Sequence, residues 1–189
     1  MRKPPHVIEI FLQPGEWWFG DENTRIRTIL GSCVAVTLWH PQRRIGGMCH
    51  FMLPSRVRPP GGGPDGRYGD EAIDALAGEI RRNRAKACEF EAKLFGGGRM
   101  FRYAGKDGKP AVRQVHDRNE SAARELMRAH GFTVKAEHLG GHGHRQVIFD
   151  IWSGHAWVRH TPLVESAAPC NAPARSDGGA PKPSTGIRK

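Results

Sequence analysis

Apolar positions fall in short runs punctuated by Gly, Pro and charged residues, so the chain reads mainly as strands with two helices. Residues 7–12 (VIEIFL) form a first strand. Residues 34–39 and 45–53 form two more around the turn-like HPQRR. Residues 54–69 (PSRVRPPGGGPDGRYG) are too rich in Pro and Gly for regular structure and read as an exposed loop. Beyond it, Ile73, Leu76, Ala77 and Ile80 repeat at i, i+3, i+4 and i+7, which predicts a helix with Asp70 as its cap.

Residues 93–101 (KLFGGGRMF) predict a strand running into a glycine turn. Asn119 is placed to cap a second helix that buries Ala123, Leu126 and Met127 and stops at Gly131. Residues 132–139, 146–152 and 156–159 are strand-like, the last two joined as a hairpin at Ser153 and Gly154. From Glu165 onward the chain is Pro, Ala, Gly and Ser, the composition of a disordered tail. The expected organisation is one domain over residues 1–164 and a tail over 165–189. No internal repeat is visible.

Four cysteines (Cys33, Cys49, Cys88, Cys170) show neither the dense spacing of a disulfide framework nor a CxxC pair. The first residues, MRKPPHVIEIFLQPGEWW, contain no signal-peptide core, and no stretch approaches the roughly 18 apolar residues of a membrane span. These features predict a cytoplasmic protein with reduced thiols and no membrane insertion.

The formal charge is +10, and the segment from Glu165 holds four basic and two acidic residues, which leaves +8 on residues 1–164. That balance suits an acidic partner. The densest run (Arg81, Arg82, Arg84, Lys86) falls at a helix end, where cations suit the dipole, and no aromatics interleave it. Nucleic acid is therefore not an expected partner.

The chemistry concentrates in residues 28–50, TILGSCVAVTLWHPQRRIGGMCH. A hairpin whose loop is residues 40–43 sets Trp39 opposite Arg44 and Cys33 opposite His50. Val34, Val36 and Leu38 then share an apolar face with Ile45, Cys49, Phe51 and Leu53. The other, more accessible face carries Cys33, Ala35, Thr37 and Trp39 with Gly46, Met48, His50 and Met52. A histidine beside a cysteine can take its proton and leave a nucleophilic thiolate. Gly31 allows close backbone approach, and the Cys33 N–H can donate to an oxyanion. A cysteine opening a Val-rich strand is, however, more often core. Spacing alone leaves both readings open.

Several ordered motifs tip that balance. TILGSCVAV, GGMCHFMLP, GRYGDEAID, LFGGGRMF, DRNESAARELMRAHGF and AEHLGGHGHRQVIFDIWSGHAWVR together resemble the CheD family of chemoreceptor glutamine deamidases, over about residues 7–160. The resemblance implies an α/β (α+β) fold of layered sheets with flanking helices, similar to the catalytic domain of cytotoxic necrotising factor deamidases. It implies hydrolysis of selected glutamine side chains of methyl-accepting chemotaxis receptors to glutamate, with Cys33 as nucleophile, His50 as base and no metal or organic cofactor. A CheC-type phosphatase is a further implied partner. The family pattern also places a threonine upstream of the cysteine. Thr28 is the candidate, although strand parity carried back from Cys33 favours Arg27 on the same face unless Gly31 introduces a bulge.

Two rivals follow from other residues. His138, His142 and His144 around GGHGH, with Cys49 and His50, suggest a zinc hydrolase, but their spacing matches no closed finger and no HExxH helix. Alternatively the chain is a receptor-binding chemotaxis adaptor of weak catalytic power.

Overall fold

The computed structural model describes residues 3–58, 60–100 and 115–163. The expected tail lies outside them, as does Phe101 at the end of the predicted glycine turn. Among the described residues, nine strands and two α-helices follow in chain order: β1 (Ile8–Phe11), β2 (Trp17–Gly20), β3 (Thr24–Leu30), β4 (Val34–His40), β5 (Ile45–Phe51), α1 (Gly69–Arg82), β6 (Glu91–Gly96), α2 (Val115–Ala129), β7 (Thr133–Leu139), β8 (His144–Asp150) and β9 (His155–Thr161). The strands build two sheets, ordered β1-β3-β8-β9 and β2-β5-β4-β6-β7. This is a mixed α/β architecture, as the sequence implied.

The layers follow from what each face of β4 buries. Val34, Val36 and Leu38, with Cys49 and Phe51 of β5, pack under Ala72, Ile73, Leu76 and Ile80 of α1 and Ala123 and Met127 of α2. On the opposite face Ala35, Met48 and Phe95 meet Ile26 and Leu30 of β3 and Val147 and Phe149 of β8. The five-stranded sheet is therefore the middle layer, between the helices and the four-stranded sheet. Burial on both sides explains why β4 reads as an unbroken VAV run rather than as a clean alternation. Each large apolar side chain so buried contributes about 1.5–3 kcal/mol. The face expected to be accessible is thus covered: Ala35 and Met48 are fully buried and His50 is 1% exposed.

Polar groups also tie the two sheets. The Trp39 indole N–H donates to the Ile151 carbonyl at 2.8 Å, and Lys93 Nζ to the Gly154 carbonyl at 2.7 Å. At the far end of β3, Arg25 grips the fully buried Asp150 of β8 through two bonds of 2.6 and 3.1 Å.

The expected hairpin forms, with its pairing slid by two residues. Ala35, not Cys33, lies opposite His50, and Trp39 lies opposite Gly46. His40 stays in the strand because its buried ring packs edge-on against Phe90 at 5.2 Å. The turn then spans residues 41–44, with Arg44 at φ 50°. An even slip preserves which residues share a face, so the face assignment survives the register error.

Both helices start earlier than their predicted caps. Tyr68 occupies the cap of α1 without a side-chain bond, and Asp70 lies in the first turn. Asn119 sits inside α2, fully buried. Gly131 does end α2, at φ 74°, with the Phe132 N–H returning to Met127 O. The residue 54–69 segment is mostly exposed, as expected, but anchored: Glu71 accepts from Arg56 Nε and from the Asp65 N–H, each at 2.7 Å. Two strands, β2 and β3, had no counterpart in the sequence reading. Among the described residues, no helix is long and apolar enough to cross a membrane.

Candidate active site

The chain leaves the outer sheet at Leu30 and enters the middle sheet at Val34, so Gly31, Ser32 and Cys33 form the crossing between layers. The crossing is held by the glycine turn after β6: the Gly97 N–H donates to Cys33 O and the Gly98 N–H to Gly31 O, both at 2.8 Å. Only glycine fits there. Gly96 and Gly97 take φ values of 114° and 63°, and a Cβ on Gly96 would lie 2.2 Å from Cys33 O. Gly31 faces protein rather than open space, since a Cβ on it would meet Met100 at 3.0 Å.

Cys33 is half-buried at the mouth of this crossing. Extending the β4–β5 register by one residue sets Cys33 opposite Met52 and diagonal to His50 on the same face. Such diagonal neighbours lie roughly 7–8 Å apart at the backbone, within reach of a cysteine and an imidazole pointing at one another.

His50 is fixed from both its backbone and its ring. Its N–H donates to Glu16 O at 2.9 Å, and its carbonyl accepts from the Gly15 N–H at 2.7 Å. The ring Nδ1 lies 2.8 Å from Thr28 Oγ1, and that hydroxyl is also 2.9 Å from the Leu12 carbonyl. A carbonyl can only accept, so Thr28 spends its single proton on Leu12 and must accept from Nδ1–H. The network therefore assigns the Nδ1–H tautomer. Nε2 keeps its lone pair and has no hydrogen-bond partner among the described residues, although it is buried.

Burial sets the charge state. It pulls the His50 pKa down to about 4, against the Leu12 carbonyl and the Glu16 charge, which both favour the imidazolium. Burial likewise pushes the Cys33 thiol up, with its own backbone N–H opposing. Both groups are neutral at pH 7, so the pair rests as thiol and imidazole. Nε2, with its lone pair unused, can accept a proton from a neighbouring group. Cys49, one residue before His50, points into the helix-side core, where burial raises its pKa to about 12 and leaves it inert.

Of the two candidates for the third position, Thr28 is the one whose side chain reaches the His50 ring. Parity failed because β3 and β4 belong to different sheets, so alternation does not carry through residues 31–33. Thr28 is 2% exposed and faces inward, whereas Arg27 points outward and pairs with Glu9 at 2.7 Å. Composition gave no signal for the Leu12 carbonyl, which holds the Thr28 hydroxyl.

The histidines of the glycine-rich loop do other work. His138 Nδ1 accepts from Arg145 Nε at 2.8 Å, and the His160 ring donates to the His142 carbonyl at 2.9 Å. A guanidinium fixed on His138 repels a metal cation from that ring. Among the described residues no group of three or more His, Cys, Asp or Glu side chains is arranged to hold a metal ion.

Comparison with known proteins identifies the family. The family described as "CheD chemotactic sensory transduction" matches residues 52–160. A protein of Pseudomonas syringae pv. tomato named "Probable chemoreceptor glutamine deamidase CheD" is 48% identical, over 86% of this chain and 95% of its own length. One of the same name from Pseudomonas savastanoi pv. phaseolicola is 50% identical over 86% and 90%. A more distant one, "CheD 1" of Leptospira interrogans, is 34% identical over 82% and 95%. With more than half of its length matched by the family and relatives covered almost end to end, the chain belongs to the CheD family.

Proposed function

We propose that this protein is a chemoreceptor glutamine deamidase in which Cys33 is the nucleophile, His50 the acid–base and Thr28 the residue that orients His50. The observation that carries the reading is the Thr28–His50 contact, which leaves Nε2 as the ring's free acceptor on the face it shares with Cys33. The relatives' printed names supply the reaction class.

The steps balance without a cofactor. As Cys33 Sγ bonds to the glutamine side-chain carbonyl carbon, the thiol proton passes to His50 Nε2 and the carbonyl oxygen takes the negative charge. Collapse breaks the C–N bond, and His50 returns the proton to the departing ammonia. A thioester remains. His50 then takes a proton from water, hydroxide equivalent attacks the thioester carbon, and the sulfur leaves with that proton, releasing glutamate.

The substrate region is the cytoplasmic helical part of the methyl-accepting receptors, which places the enzyme in the cytoplasm. The +8 charge of residues 1–164 favours capture of those carboxylate-rich helices. The same surface would serve a CheC-type phosphatase. We read residues 1–164 as the catalytic unit, and its layers as akin to the cytotoxic necrotising factor deamidase domain.

The test is mass spectrometry of a receptor cytoplasmic fragment incubated with wild type or with Cys33→Ala. Conversion of glutamine to glutamate by wild type alone is the expected result. Conversion that persists in Cys33→Ala would refute the assignment, and binding without conversion by either protein would indicate an adaptor.

A further inference from the structure

Asn119 is a fully buried polar residue on α2 that the proposed chemistry does not use. Its Nδ2 donates to two carbonyls from different strand ends: Ser32 O at 3.1 Å and Met52 O at 2.8 Å. One lies immediately before Cys33 and the other two residues after His50. The amide thus bridges the gap where β4 and β5 part, joining the two segments that carry the site.

The peptide it grips is the one that ends in the Cys33 N–H. Continuing the β4–β6 register sets Cys33 opposite Gly97, and half of that pair is made, from the Gly97 N–H to Cys33 O. The return bond from the Cys33 N–H is missing, because the left-handed backbone at Gly96 and Gly97 turns the next carbonyl away. Among the described residues this N–H has no backbone acceptor. No peptide bond here is cis, so the Ser32 carbonyl and Cys33 N–H point in opposite directions within one plane. Holding the oxygen toward Asn119 therefore aims the N–H away from α2. The Asn119 Oδ1 is buried with no hydrogen-bond partner among the described residues, a destabilising feature that packing alone would not select.

We propose that Asn119 is a positioning residue: it locks the Ser32–Cys33 peptide so that the Cys33 N–H meets the oxyanion formed on the substrate amide. The inference rests on the deamidase reading. Its test is the kinetics of Asn119→Ala on a receptor fragment, alongside the rate at which iodoacetamide alkylates Cys33. Alkylation needs the sulfur but develops no oxyanion. The expected result is a kcat lowered on the order of 10- to 100-fold, with KM and the alkylation rate changed less than about threefold. A kcat within about threefold of wild type would overturn the inference, as would alkylation falling in step with kcat. Should Asn119→Ala fail to fold, Asn119→Leu fills a similar volume without a donor and is read by the same criteria. No conversion by wild type would instead remove the deamidase reading, and this inference with it.

Discussion

Replacing Thr28 by valine keeps the shape of the side chain and deletes one oxygen, which isolates what that oxygen does. Two contacts disappear, the 2.9 Å bond to Leu12 O and the 2.8 Å bond from His50 Nδ1. Buried neutral hydrogen bonds contribute about 1 kcal/mol each, and the Leu12 carbonyl can recover part of the loss by accepting directly from Nδ1–H. The net destabilisation should be about 1–2 kcal/mol, or a melting temperature lower by roughly 2–8 °C for a domain of this size. The effect on turnover should be larger, because an imidazole that turns toward Leu12 no longer aims Nε2 at the sulfur. We expect kcat lower on the order of 10- to 100-fold, within the roughly 100- to 10,000-fold that a general base supplies altogether. Thr28→Ser restores the oxygen and should stay within about threefold of wild type. Mass-spectrometric deamidation kinetics and thermal melts followed by circular dichroism measure both quantities. A Thr28→Val protein that melts lower but turns over like wild type would refute the orienting role. So would a serine variant as slow as the valine one.

Two further outcomes follow from charge. His50 titrates at about 4 in the fold instead of near 6.5, so the unfolded chain binds a proton between those values that the folded protein does not. Stability is then fully present above pH 6.5 and falls by roughly 3 kcal/mol as the pH drops toward 4, which denaturant titrations across that range would detect. The imidazole also remains neutral there, so in its proposed role as base it should let kcat hold its plateau down to near pH 4, and an acid limb centred near 6.5 would contradict the buried, neutral imidazole. Separately, Asp150→Ala strands Arg25 in the interior, with Glu9 4.0 Å away. Breaking such a buried pair should remove about 3–5 kcal/mol, and a measured loss below about 1 kcal/mol would show the pair to be dispensable.

How much was legible in the sequence depended on how local the deciding interaction was. The faces of β4 and β5 came from period-2 alternation within one hairpin, and they held even though the pairing slipped by two. The slip itself was set by Phe90 packing on His40, a contact across 50 positions that no hairpin rule contains. Strand β3 escaped notice because Arg25 is buried within it, and its partner Asp150 lies 125 residues on. Thr28 was misplaced by parity for a topological reason, the change of sheet between residues 30 and 34. Asn119 read as a cap because asparagine before an apolar helical run usually is one. Here the helix begins at Val115, and the side chain turns inward to the site instead. Cys33 and His50 stood out as candidates because their spacing and surrounding motif are contiguous in the chain.

The origin of the three site residues has a consequence for when the enzyme becomes active. Thr28 comes from the outer sheet, His50 from the middle one, and Cys33 from the segment that passes between them. Neither sheet alone brings the three together, so under the roles proposed for them competence arrives only when the two are seated on each other. Under the proposed roles, a half-assembled chain during synthesis, or one loosened by heat, carries Cys33 apart from the His50 imidazole and does not deamidate. Turnover thereby reports the seating of one sheet upon the other. Loosening the remote ties at Trp39–Ile151 or Lys93–Gly154 should dim catalysis before it unfolds the protein.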